Sequence, residues 1–254
     1  MAASILPGAE PYSATGDTRG ALVLHGFTGN PQSMRGLALA LADAGFTVEL
    51  PLLPGHGTQI EDMLDTTWED WSAAAEKAYN DLAARSDGVV VVGLSMGGML
   101  SVWLAEHHPE IAAIAVVNPL LSPPDSDTLE FIQAMVDGGD EVAPGIGSDI
   151  AMEGAVEAAY PGLPLRATLS LFAAAAEVEK ALDQVTCPVL LFTSPQDHVV
   201  DTVSSQKLVE RAKGPVEQVM LERSFHVATL DWDKYEIEAR TVAFVTGVLP
   251  PSPA

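Results

Sequence analysis

Cysteine occurs once in 254 residues, at Cys187. A single thiol cannot form an internal disulfide, so the chain needs no oxidising compartment. Because Cys187 opens an apolar run, it is expected to be an inert core residue. Basic residues are scarce too: 12 Lys and Arg stand against 35 Asp and Glu, for a net charge of -23. Such a field repels phosphate backbones and anionic lipid surfaces, and no nucleic-acid partner is expected. No uninterrupted apolar run approaches the roughly 18 residues of a membrane helix, so no stable membrane insertion is expected. The N-terminal "MAASILPGAEPYSATGDTRG" lacks the basic start and apolar core of a signal peptide. A cytoplasmic protein is the default expectation. H-E-x-x-H, cysteine clusters, G-x-x-x-x-G-K-[ST] and G-x-G-x-x-G are all missing, so neither a metal nor a cofactor is expected.

What is present is an ordinary globular composition, 48% hydrophobic, in which short apolar runs alternate with helical periodicity. "GALVLHG" (20–26), "FTVELP" (46–51), the valines at 89–92, "IAAIAVVNP" (111–119), "CPVLLFTS" (187–194) and "VEQVMLE" (216–222) read as strands. Helical spacing appears at 31–45, 66–86, about 95–108, near 202–213 and about 230–248. Strands alternating with helices predict an α/β fold, a mostly parallel central sheet flanked by helices. The alternation fails between Asn118 and Thr186, where no strand signal occurs and helical patterns lie near 127–137, 151–160 and 164–185. The expected division is a core of residues 1–119 and 166–254 with a cap insertion at 120–165.

"VVVVGLSMGGML" (89–100) carries the chemistry. Gly93-Leu94-Ser95-Met96-Gly97 is G-x-S-x-G between a strand and a helix, a turn that presents a serine hydroxyl above a sheet. A glycine-rich turn with an incidental N-cap serine is the plainer alternative. A serine hydroxyl is a poor nucleophile at neutral pH, so it needs a base, and the base needs an orienting carboxylate. In this context both should follow later strands, in the order serine, acid, histidine. Asp197 in "SPQDHVVD" and His226 in "RSFHVATLD" stand in those places. Asp201 competes with Asp197 but stands where a helix N-cap belongs. His198 competes with His226 but precedes the last strand. His107 and His108 end a helix, and His25 and His56 sit beside glycines, where structural roles are expected. For an oxyanion, the expected donors are the backbone N–H groups of Met96 and of Phe27 in "HGFTGNP", whose ring can pack in the core at the same time.

The strings "LVLHGFTGNP", "LPGHGT", "GLSMGG", "CPVLLFTSPQDHVV" and "SFHVATLD" resemble the α/β-hydrolase superfamily. More narrowly, they resemble the bacterial monoacylglycerol lipases and related small carboxylesterases, over about residues 20 to 247. "GIGSDI" in the insertion resembles the cap of those lipases, while "LLSPPDSDTLEFIQAMVDGGDEVAP" diverges. The resemblance implies a serine esterase with Ser95, Asp197 and His226 as triad and Phe27 and Met96 as oxyanion donors.

The expected activity is cofactor-independent hydrolysis of a small-molecule ester, a monoacylglycerol or another short to medium monoester. Thioester, carbon–carbon or perhydrolase chemistry would use the same triad. A non-catalytic binding protein would be expected to have lost part of it. Some of Phe131, Ile132, Met135, Val136, Ile146 and Ile150 are expected to line an acyl tunnel over Ser95, with Leu171 and Phe172 as contributors from the next helix; packing among themselves is the plainer alternative. Glu157, in the helical "EGAVEAAY", is the candidate contact to a glycerol hydroxyl.

Overall fold

A computed structural model describes residues 4–145 and 147–251. Its strands are β1 (Tyr12–Ala14), β2 (Arg19–Leu24), β3 (Thr47–Leu50), β4 (Gly88–Leu94), β5 (Ala113–Val117), β6 (Val142–Pro144), β7 (Gly162–Pro164), β8 (Val189–Thr193) and β9 (Val216–Met220). Its helices are α1 (Arg35–Asp43), α2 (Trp68–Ala83), α3 (Met96–His107), α4 (Ser126–Gly138), α5 (Leu165–Ala181), α6 (Val203–Arg211) and α7 (Lys234–Val248). Seven strands form one sheet in the order β1-β3-β2-β4-β5-β8-β9. Every pairing in it is parallel except β1 with β3.

The central strands are apolar throughout because both of their faces are covered. Val89 and Val91 of β4 join Leu22 and Leu24 of β2 under Trp71, Tyr79, Met99 and Leu171 from α2, α3 and α5. Val90 and Val92 join Ala21 and Val23 under Leu37, Leu41, Ile237 and Val245 from α1 and α7. β3 and β4 both follow β2 but lie on its opposite sides. The chain therefore reverses its winding at β2, which opens a crevice beyond the carboxyl ends of β2 and β4.

Three features depart from the sequence reading. β1 is a short, half-exposed edge strand with no apolar run to announce it. β6 and β7 pair antiparallel inside the 120–165 stretch, where no strand was expected. The helix expected near 151–160 does not form. Gly154 adopts a φ of +81°, and the local N–H groups bond elsewhere than to carbonyls four residues back. Ala151 and Met152 donate to the Asp231 carboxylate, Glu157 to Ser148 Oγ, Ala158 to Gln32 Oε1 and Tyr160 to the Thr28 carbonyl. Helical propensity in an alanine-rich run is worth only tenths of a kcal/mol per residue, and these tertiary acceptors outweigh it.

Cys187 is buried, and its thiol is pushed up to about 11 by that burial, in keeping with an inert core residue. No helix among the described residues is long and apolar enough to cross a membrane.

Glu106, in the last turn of α3, leaves Oε1 buried without a hydrogen-bond partner among the described residues. Burial pushes its carboxyl up to about 8, against the lowering effect of the Arg211 charge. The folded state thus holds a proton that the unfolded chain gives up near its ordinary acidic value. The stability this confers is complete below that ordinary value and is lost as pH rises through about 8. Glu106→Gln should therefore be near neutral at pH 5 but raise stability at pH 9 by about 1–2 kcal/mol, roughly 2–8 °C in Tm. Thermal unfolding of both proteins at the two pH values checks this, and equal Tm differences at both would contradict it.

Candidate active site

Ser95 sits between β4 and α3 with φ 56° and ψ -116°, a left-handed conformation that costs a non-glycine residue on the order of 1–3 kcal/mol. Three hydrogen bonds hold it there. Its N–H donates to the Val117 carbonyl (3.0 Å), and its carbonyl accepts from Met99 (2.9 Å) and Leu120 (3.3 Å). The turn closes only because its flanks lack side chains. A Cβ on Gly93 would strike the Gly97 carbonyl oxygen, and one on Gly97 the Leu24 carbonyl oxygen, both well inside contact distance. The backbone N–H groups of Met96 and Phe27 have no hydrogen-bond partner among the described residues. The Phe27 ring packs edge-on against Trp71 at 5.4 Å, so this residue does combine core packing with a free backbone donor.

His226 Nδ1 lies 2.7 Å from Asp197 Oδ2, with both side chains almost wholly buried. The other Asp197 oxygen accepts the N–H groups of Val199 and Val200, each at 2.8 Å. An ionised Asp197 can only accept at this contact, which assigns a proton to His226 Nδ1 and, in the neutral ring, leaves Nε2 as the acceptor. Asp201 instead receives the Val203 N–H at 2.9 Å, at the start of α6. His198 stays exposed, with its ring edge-on to Phe225. His25 and His56 are fully buried and packed edge-on at 5.0 Å. Burial pushes their pKa values down to about 3 and about 4, so both stay neutral at pH 7. His25 Nε2 accepts the Leu53 N–H and ties the Phe27 loop to the loop after β3.

Ser95 and His226 line one cavity of about 190 Å³ at the crevice. Its apolar wall includes Leu120, Tyr160, Leu163, Leu171, Phe172 and Val200. Leu171 and Phe172 are thus found as expected. Phe131, Ile132, Met135, Val136 and Ile150 are not among the lining residues, which corrects the expected tunnel. Helix α4 packs against α5, Phe131 is 65% exposed, and Ile150 packs on the α1–α7 side of the core. Ile146 lies outside the described residues. Glu157 does line the cavity, from irregular backbone rather than a helix. Its Oε1 comes so close to Gly29 that a Cβ there would stand 2.6 Å away. Burial raises the Glu157 pKa, and the nearby His226 charge and Ser33 hydroxyl oppose that rise.

Three polar residues at the site escaped the sequence reading. Asn118, at the end of β5 with φ 44°, donates to Ser194 Oγ (3.0 Å) and to the His226 carbonyl (2.8 Å) and accepts the Ser194 N–H (2.8 Å). Asp149 accepts the His226 N–H at 3.0 Å. Asp231, fully buried, accepts the N–H groups of Ala151, Met152, Phe225 and Trp232. The two aspartates stand inside "GIGSDI" and "SFHVATLD", the strings most specific to the resemblance, and Asn118 directly follows an apolar strand.

The family described as serine aminopeptidase, S33, matches residues 17–233. The chain belongs to this family. A relative is the thermostable monoacylglycerol lipase of Bacillus sp. (strain H-257), 41% identical over 244 residues, which span 94% of this chain and 95% of the lipase. The carboxylesterase of Bacillus subtilis (strain 168) is 25% identical over 228 residues, spanning 89% of this chain and 91% of that enzyme. A solved structure described under the metagenome-derived lipolytic enzymes LipS and LipT superposes with a TM-score of 0.92 at 43% identity, over 96% of this chain and 100% of the other. The monoacylglycerol lipase of Paleococcus ferrophilus superposes at 0.77 with 17% identity, over 94% of this chain and 99% of its own, a likeness of fold alone.

The serine turn generates a test. Gly97→Ala should destabilise the protein by roughly 1–3 kcal/mol or more, because the obstacle is backbone and cannot rotate away. Denaturant unfolding measures this, and an unchanged midpoint would show that the turn has slack.

Proposed function

We propose that this chain is a serine hydrolase of carboxylic esters that prefers monoacylglycerols or similar short to medium monoesters. The observation that carries this reading is the Asp197–His226 hydrogen bond of 2.7 Å, sharing one cavity with a serine on a strained turn. In the proposed mechanism Ser95 attacks the acyl carbonyl while His226 Nε2 takes its proton. The imidazolium, stabilised by Asp197, then protonates the leaving alcohol, and water releases the acyl group with His226 again as base. The free N–H groups of Phe27 and Met96 would receive the oxyanion, where each donor lost from such a site costs about 10²–10³ in kcat. These groups supply nucleophile, base and oxyanion donors, so the mechanism calls for no cofactor. Residues 120–165 are read as a cap, with an acyl chain against Leu171 and Phe172. A polar glycerol group would face the Glu157 carboxylate. The single buried cysteine and scarce basic residues favour a cytoplasmic enzyme that acts on small-molecule esters. The likeness to a monoacylglycerol lipase at 41% identity supports the same substrate class.

Ser95→Ala should lower kcat by roughly 10⁵–10⁶-fold by analogy with other triads. Asp197→Asn should lower it by about 10⁴-fold, because the amide favours the wrong imidazole tautomer. Asp201→Asn should cost little. Steady-state rates on a p-nitrophenyl ester test all three, and a strong loss at Asp201 with a mild one at Asp197 would reverse the assignment.

Glu157→Ala separates glycerol recognition from the chemistry. Removing one hydrogen bond of about 1–3 kcal/mol should lower kcat/KM on a 1-monoacylglycerol about 5- to 150-fold. The p-nitrophenyl ester of the same acyl chain should be nearly unaffected, since it offers no hydroxyl to the carboxylate. Equal effects on both substrates would remove Glu157 from the alcohol site.

A further inference from the structure

The stretch read as a cap divides into two parts with different attachments. The hydrogen bonds of α4 stay within the helix and its ends, such as that from the Thr128 N–H to its capping residue Asp125. Residues 147–160 have no regular secondary structure, yet they are fastened at both ends to the loops that carry the site.

At one end Asp149, its side chain 9% exposed, holds the acid and base loops together. Its Oδ2 accepts the N–H of His226 (3.0 Å) and the N–H of His198 (3.1 Å), the residue after Asp197. Its Oδ1 lies 2.8 Å from His198 Nδ1, and its carbonyl accepts the Val227 N–H at 3.1 Å. Asp231 returns the contact from the base loop by accepting Ala151 and Met152. At the other end, Ala158 accepts from Asn30 Nδ2 and donates to Gln32 Oε1, and Tyr160 donates to the Thr28 carbonyl. The Tyr160 hydroxyl also donates to the Gly55 carbonyl at 2.8 Å. The segment spans from the His226 loop to the Phe27 loop, across the cavity that Ser95 lines.

We propose that Asp149 is a positioning residue for the base, setting His226 and the Asp197 loop in one arrangement from the insertion side. Residues 147–160 are then part of the catalytic framework, not a movable cover. A single carboxylate oxygen shared by the main chains of His226 and His198 fixes the two loops relative to each other. The 2.7 Å Asp197–His226 bond depends on that separation. This inference rests on the proposed roles of Ser95, Asp197 and His226, and the test keeps the two readings apart.

The test uses the whole protein and a p-nitrophenyl ester, with reactive serines labelled to completion by a fluorophosphonate so that kcat is expressed per labelled site. Asp149→Ala should lower kcat per labelled site by about 10²-fold, the scale of a misplacement near 1 Å. KM should change by less than about threefold, since substrate contacts remain. Asp149→Asn keeps an oxygen for both main-chain N–H groups and should recover kcat to within about tenfold of wild type. In an Asp197→Asn background Asp149→Ala should add little, because both act through His226. A merely structural role would lower the number of labelled sites and leave kcat per site unchanged, and that outcome overturns the proposal. Additive losses with Asp197→Asn overturn it as well. If Asp149→Ala does not fold, Asp149→Ser decides by the same criterion. Ser95→Ala is the separate control: labelling that survives it would defeat the triad reading itself, whereas labelling lost in Ser95→Ala with wild-type kcat in Asp149→Ala would defeat only the positioning role.

Discussion

The turn between β4 and α3 is the constraint on which the rest of the site depends. A serine held at φ 56° is unfavourable, and it persists only because the surroundings leave it no alternative. Val117 and Leu120 anchor its backbone from the neighbouring strand and the segment after it, and Gly93 and Gly97 let the two arms of the turn touch. The same closeness brings the start of α3 against Leu24 and His25 at the end of β2. The Met96 N–H, free at a helix start, and the Phe27 N–H, just beyond β2, are thereby placed near the same serine. The positions of the proposed nucleophile and of its proposed oxyanion donors follow from one steric fact.

The acid and base loops have no comparable backbone trap and are held by side-chain acceptors instead. Asn118 joins the ends of β5 and β8 to the His226 carbonyl, and Asp149 and Asp231 receive main-chain N–H groups that no helix or strand satisfies. Buried backbone donors must find partners, and irregular segments find them in side chains. The loops around the cavity are accordingly irregular in shape and specific in placement.

This difference explains what the sequence made legible. Valine runs in β4 and the helical face of Trp71, Ala75, Tyr79 and Leu82 are periodic, so the α/β fold could be read from spacing. The order of Ser95, Asp197 and His226 follows from their places after strands, and the structure brings Asp197 rather than Asp201 to the histidine. The 151–160 stretch was misread because its alanines carry a local preference, while its acceptors, Asp231 and Gln32, lie about 80 residues later and about 125 earlier in the chain. The tunnel residues of α4 were misread for a related reason. Apolar spacing tells which residues share a helix face but not which surface that face meets, and it is Leu171 and Phe172 of α5 that reach the cavity.

Charge posed the hardest problem, since 35 acidic residues offer no internal ranking. Hydrogen-bond partners supply one. Asp231 is enclosed by four N–H donors, and Asp197 is held by two N–H groups and an imidazole. Asp149 is committed to His226 and His198. Of the four acceptor positions of a carboxylate, these contacts fill all four on Asp231 and three each on Asp197 and Asp149. Glu157 faces the cavity with Ser33 and the His226 charge to offset its burial, and burial holds its pKa above the ordinary value. A buried carboxyl short of partners is costly unless a ligand supplies them. Among the described residues, Glu157 has fewer hydrogen-bond partners than these three aspartates, and a ligand hydroxyl would lower the cost of keeping it there.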